Sequence, residues 1–222
     1  MINQNTTLYD RLKSANKQIR DIMKAVGEYH KSNDLSCHEY VASNKIAIVC
    51  RQGCAYCCNL KVDVEPNEAL LITKYVAERF SAEKRAKMVN ALETHVLHLS
   101  KITENDHLSI NAPCPLLSGS TCSVYPVRPF ACRAYYSLGV SSCQYSFENP
   151  ADLKEKRATD IDLDLQWGEV RKAVAAIFQK LGYDMTHNEL GVALLYSLQH
   201  PKAASRWASK KTFGKLRTYR DD

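Results

Sequence analysis

Apolar residues in the first part of the chain recur at helical intervals. Leu8, Leu12, Ile19, Ile22, Met23 and Val26 are separated mostly by three, four or seven positions, the spacing that lines one face of an α-helix. Gly27 follows this run and reads as its stop. The short apolar run Lys45-Ile46-Ala47-Ile48-Val49 fits either a strand or a buried turn. Pro66 stands where helices often begin, and EALLITKYVAERF continues the helical pattern from it. Ser81 is placed to cap a further helix running to about Leu99, with Met88, Leu92, Val96 and Leu99 on one face.

The periodicity then stops. From about Asn111 to Ser146 the chain is rich in Pro, Ser and Cys, with Gly119 in an expected turn. Helical spacing resumes with VRKAVAAIFQKLG at 170–182. Thr186-His187-Asn188-Glu189 has the form of a capping box, in which hydroxyl and carboxylate satisfy free backbone N–H groups. It opens a helix through LGVALLYSLQ, and Pro201 suits the start of a last one. No internal repeat or low-complexity tract interrupts this order. The expected fold is mainly α: a helical scaffold with two irregular cysteine-rich loops converging on a metal site. We read one domain in three stretches: an N-terminal helical segment (1–44), a cysteine-cluster metal-binding core (45–146), and C-terminal helices with a basic tail (147–222).

Nine cysteines in 222 residues change the picture. A chain of this length buries roughly 70% of the surface its unfolded form exposes, so it needs no disulfide staples. The N-terminal residues MINQNTTLYDRLKSANKQIR lack the apolar run of a signal peptide, and no window has the apolar length of a membrane span. The expectation is a soluble, cytoplasmic protein in a reducing compartment, where clustered cysteines point to metal or catalysis.

Net charge is +6, concentrated at the C-terminus. Lys202, Arg206, Lys210, Lys211, Lys215, Arg217 and Arg220 face only Asp221 and Asp222 there. A solvated helix and frayed tail would account for this. The sharper reading is a docking site for a protein partner, helped by Trp207, Phe213 and Tyr219; nucleic acid is not the expected partner.

Eight of the nine cysteines fall into two groups: Cys50, Cys54, Cys57 and Cys58, then Cys114, Cys122, Cys132 and Cys143. Thiolates are soft, anionic donors suited to zinc and iron–sulfur clusters. Separations of two or three residues let one loop wrap an ion, and Gly53 frees the backbone for a tight turn. Cys57 and Cys58 are adjacent, and neighbouring side chains diverge along a regular element. The eight thiols therefore fill two four-cysteine sites, one polynuclear site, or one site with spares. Cys37 reads as a buried apolar filler. Tyr40–Val62 and His107–Phe147 contain no Asp or Glu but do contain Arg51, Arg128 and Arg133, which suits a site accumulating negative charge.

CRQGCAYCC, then CPLL from Cys114, CSVY from Cys122, RPFACR from Arg128 to Arg133 and finally Cys143 resemble the YkgJ-like cysteine-cluster proteins, a family with a zinc- or iron-chelating CxxCxxCC domain. The gap between Cys50 and Cys54 is one residue longer than that name implies. The resemblance covers about 50–143 and implies metal chelation; relatives include flagellin lysine methyltransferases with an iron–sulfur cluster. Their activity is not carried over, because no glycine-rich loop follows a strand here to hold S-adenosylmethionine.

The expected cofactor is an iron–sulfur cluster, 4Fe-4S, with zinc as the alternative. Catalytic residues are not identifiable. Pro113, Pro115, Pro126 and Pro129 restrict the second loop, Arg128 and Arg133 offset thiolate charge, and Tyr125, Tyr135 and Tyr136 pack around the site. His95 and His98, three apart on a predicted helix, are further candidate ligands. Two rivals stand beside this reading. Cys50-x3-Cys54-x2-Cys57 also matches the cluster signature of radical S-adenosylmethionine enzymes, which needs an early barrel strand before it. A zinc-stabilised interaction module needs only the C-x2-C pair Cys54/Cys57.

Overall fold

Helix α1 (Ile2–Ser14) and helix α2 (Ile19–Ser43) pack against each other through Leu8 and Leu12 on one side and Ile22, Met23 and Val26 on the other. The computed structural model describes residues 2–15, 18–51, 53–154 and 157–220. Gly27 does not end the helix as its residue type suggests. Helix α2 runs through it to Ser43, and a side-chain carbon at 27 would meet Leu71 Cδ1 at 3.7 Å. An interior glycine costs about 1 kcal/mol of helix propensity. Packing of α2 against a later helix, where Gly27 faces Leu71, outweighs that cost. The chain turns instead at Asn44 and Lys45, the latter at φ 53°.

Ile46–Val49 is neither strand nor helix. Strand β1 (Asp63–Val64) leads into α3 (Pro66–Arg79). Pro66 opens α3 as expected, behind a capping box made by Glu65 and Glu68. Ser81 caps α4 (Ala82–Leu99) by accepting from the Lys84 N–H at 3.2 Å, and α5 (Glu104–Leu108) follows.

The stretch 111–146 is less irregular than its composition implies. Strands β2 (Leu117–Ser118) and β3 (Thr121–Cys122) pair as a hairpin around Gly119 at φ 61°, and α6 (Phe130–Ala134) and α7 (Val140–Glu148) follow. Helix α8 spans Ile161–Lys180, starting well before the expected 170. Asp160 caps it, its Oδ1 accepting from Leu163 N at 2.8 Å.

Thr186 is not the cap of the next helix. Its hydroxyl donates to Asp184 Oδ1 at 2.6 Å, while strand β4 (Asn188–Glu189) pairs antiparallel with β1. Glu189 itself caps α9 (Leu190–Gln199), accepting from Val192 N at 2.9 Å. Helix α10 (Ala203–Ala208) starts just after Pro201.

The core gathers between α3, α9 and α4 on one side and α1, α2 and α8 on the other, around fully buried Ile22, Ile72, Leu92, Phe178, Leu194 and Trp207. The C-terminal segment is packed, not frayed. Asp184 Oδ2 accepts from Phe213 N at 2.6 Å and Gly214 N at 2.9 Å, and Arg220 N donates to Ile102 O at 2.9 Å. Trp207 and Phe213 are buried and Tyr219 is half-buried, so these aromatics serve the interior and not a docking face. Asp221 and Asp222 lie outside the described residues, as does Gln52 in the first cysteine group. Among the described residues no helix is long and apolar enough to cross a membrane.

Candidate metal centre

The first cysteine loop leaves α2 and is pinned at once, Val49 N donating to Ser137 O at 3.0 Å. Gly53 takes φ 87°, a left-handed conformation costly for other residues. Cys54 N closes the turn onto Arg51 O at 3.0 Å. A 3-10 turn, Tyr56–Asn59, then carries Cys57 and Cys58. Successive Cα–Cβ bonds leave such a turn about 120° apart, yet the Cys57 and Cys58 sulfurs stay within hydrogen-bonding reach of each other. Asn59 holds the turn, donating to Ala55 O at 3.1 Å.

The second loop is laid against the first. Cys114 N donates to Cys58 O at 2.8 Å, and Ala112 N to Asn59 O at 3.1 Å. The β2–β3 hairpin places Cys122 opposite Leu117, and Ser123 ties it back to Leu116 O at 2.8 Å. Helix α6, bearing Cys132, is fixed from two sides. Phe130 N donates to the buried Glu68 Oε1 at 2.6 Å. Arg133 donates to Arg128 O at 2.8 Å and Pro126 O at 2.9 Å and pairs with Asp34. Arg133 is thus a buried brace whose charge Asp34 already matches, while Arg128 lies over the Tyr125 ring at 4.0 Å.

These segments enclose one cavity of about 720 Å³, lined by every predicted cysteine except Cys143. Cys143 sits behind it on α7, which packs on the 3-10 turn through Tyr56 and Phe147, ring centres 5.6 Å apart. Cys37, read from sequence as filler, lies on the cavity wall. All nine cysteines are free thiols. Among the described residues no three His, Cys, Asp or Glu side chains close on a common point. The loops therefore converge on a shared cavity.

Burial pushes the Cys114 thiol up to about 12, with Cys122 and Cys58 adding repulsion. Cys132 is raised by burial and then by Cys114, Cys122 and Cys58. Cys57 is raised because its S–H donates to the Cys58 sulfur, and the same bond lowers Cys58. Crowded thiols thus hold their protons for lack of a counter-charge. A soft cation supplies that charge, and metal binding displaces such protons. On donor chemistry the residues fit a thiophilic metal.

The opposite wall is polar, and of its residues only His95 was a candidate ligand from sequence. His95 Nε2 lies 3.1 Å from Glu189 Oε1, both side chains buried. His107 Nδ1 lies 2.8 Å from the Tyr219 hydroxyl. Lys61 pairs with Asp63 and, at 2.9 Å, with Glu104. Of the two histidines singled out from sequence, His95 reaches the cavity with one nitrogen engaged by Glu189, whereas His98 is exposed and outside the lining.

Residues 49–158 match a family described as CxxCxxCC, "Putative zinc- or iron-chelating domain". Residues 49–158 therefore carry a CxxCxxCC domain. The match begins just before Cys50 and ends beyond α7, so the CxxCxxCC segment takes in both loops and all eight grouped cysteines. No curated protein and no solved structure matches the chain.

Proposed function

We propose that the thiol-lined cavity holds an iron–sulfur cluster, ligated from among Cys50, Cys54, Cys57, Cys58, Cys114, Cys122, Cys132 and Cys143. The protein would then act in electron transfer or as an accessory to protein modification. One observation carries this reading: the thiols are spread around a roomy cavity. A structural zinc site draws four sulfurs to about 2.3 Å from one ion, whereas a cluster has several iron atoms for the sulfurs to reach. The radical-enzyme reading has less support, because the Cys50–Cys57 loop follows helix α2 and not a barrel strand. A cytoplasmic, reducing setting agrees with nine free thiols. The exposed basic side chains of the C-terminal segment, including Lys202, Arg206, Lys210 and Lys211, are the proposed contact for an acidic protein partner.

The test is anaerobic purification followed by an absorbance spectrum and counts of iron, acid-labile sulfide and zinc. Near-equal iron and sulfide with broad visible absorption is the expected result. Stoichiometric zinc without colour would replace the cluster by a zinc-stabilised module. Absence of both metals would overturn chelation itself.

A further inference from the structure

The eight thiols come from two neighbourhoods that meet at the Cys57–Cys58 step. Cys50 and Cys54 lie on the segment tied to Ser137 through Val49. Cys143 is brought to the same side by α7, which follows Leu138 and rests on the 3-10 turn. Tyr135 stands among Cys143, Cys57 and Cys50, beside Arg157, whose guanidinium lies 4.4 Å from the Tyr135 ring centre.

Cys114, Cys122 and Cys132 form the other neighbourhood. Cys114 is bonded through its backbone to Cys58, Cys122 lies on the hairpin that follows, and the Arg133 brace seats Cys132 beside them. Each neighbourhood has an arginine at its side: Arg157 over the Tyr135 ring in the first, and Arg128 over the Tyr125 ring at 4.0 Å in the second. The vicinal pair, whose sulfurs lie within hydrogen-bonding reach of each other, is the seam between them, where Cys132 comes near Cys57 as well.

We infer that the thiols form two four-sulfur sets, Cys50/Cys54/Cys57/Cys143 and Cys58/Cys114/Cys122/Cys132, each holding its own soft metal ion or small cluster. The inference rests on the metal-chelating reading and assigns its ligands. It gives the CC of the motif a purpose: adjacent cysteines hold two centres side by side.

Metal is counted per chain on anaerobically purified full-length protein and on Cys54→Ser, Cys143→Ser, Cys122→Ser and Cys132→Ser. Helical circular dichroism confirms that each variant folds. Each single variant is expected to lose about half the metal, a loss of one centre in two. Cys54→Ser with Cys143→Ser should lose no more than either alone, while Cys54→Ser with Cys122→Ser should lose all. Titration of the reduced, metal-free chain with Cd²⁺ is independent of which metal is native. Its thiolate absorbance should end at twice the equivalents for the wild type as for Cys54→Ser/Cys143→Ser.

Complete loss from any single variant would replace the two sets by one polynuclear centre. Full retention in Cys143→Ser, or in both Cys122→Ser and Cys132→Ser, would mean one site with spare thiols. A wild type that takes up neither native metal nor Cd²⁺ would overturn chelation, and the partition with it.

Discussion

Replacing Gly191 by Ala tests how tightly the polar wall of the cavity is built. Gly191 lies in the first turn of α9, and an added Cβ would stand 2.5 Å from His95 Cδ2 and 3.2 Å from Glu189 Oε2. Carbon atoms rest about 3.5–4.0 Å apart, so the imidazole must retreat by roughly 1 Å. That movement breaks its 3.1 Å contact with Glu189. The gain in helix propensity is at most about 1 kcal/mol. Overpacking costs about 1–3 kcal/mol, and the buried Glu189 carboxylate, which keeps the Val192 N–H, loses one partner at a further ~1–2 kcal/mol. The expected net is a loss of about 2–3 kcal/mol. At ~2–4 °C per kcal/mol for a chain of this size, Tm should fall by roughly 5–10 °C. Urea unfolding followed by circular dichroism measures it, in the native background and in His95→Ala. With the ring gone only the 3.2 Å approach to Glu189 Oε2 remains, so the same substitution should come close to neutral, within about 1 kcal/mol either way. An equal effect in both backgrounds would refute the packing argument.

Three further outcomes are expected. Burial, and then Glu68, raise the Glu65 carboxyl to about 7, with Arg171 opposing. Folding therefore strengthens its hold on the proton. That contribution is complete below the ordinary value of 4.5 and is lost as pH rises through about 7, of order 3 kcal/mol. Glu65→Gln should flatten this fall in urea midpoints between about pH 3.5 and pH 8, each about one unit outside the window, and an unchanged slope would count against it. Asp184→Ala removes the acceptor for Phe213 N, Gly214 N and the Thr212 hydroxyl. It should cost about 2–3 kcal/mol and open 209–220 to limited proteolysis, and an intact tail would contradict the tether. Arg133→Ala should cost about 3 kcal/mol or more by breaking the buried pair with Asp34. Arg133→Lys should not restore it, since only a guanidinium reaches Asp34 and two carbonyls at once; full rescue in thermal melts would remove the brace from the account.

Where structure follows from neighbouring residues, the sequence was readable. Pro66 and Ser81 carry their helix starts in local backbone chemistry, and both stand where the spacing put them. Ile161-Asp162-Leu163-Asp164-Leu165 alternates like a strand and hid the first turns of α8, because Ile161 and Leu165 are exposed and only Leu163 is buried. Gly27 misled for the opposite reason: contacts from α3 outweigh a local signal. Helix α6 is too short for periodicity to register, and the carboxylate that receives its first N–H belongs to Glu68, far back in the chain.

The cavity divides along the same line. Its thiol half was legible because ligand spacing is a local property of a loop, so the two cysteine groups stand out by count alone. Its polar half is assembled from α4, α5, β4 and the C-terminal segment, and nothing near His95 in sequence announces Glu189. Cys143 shows how the two kinds of information combine. Its place in the second cysteine group suggests partnership with Cys114, Cys122 and Cys132, yet the fold carries α7 across to the 3-10 turn, and repulsion links it to Cys50. Sequence order thus groups the eight thiols four and four by loop, while the proposed partition regroups them four and four by neighbourhood. The two groupings differ by an exchange of Cys58 and Cys143. Under that partition the two loops would depend on each other, since neither could complete a four-sulfur set without a residue from its partner.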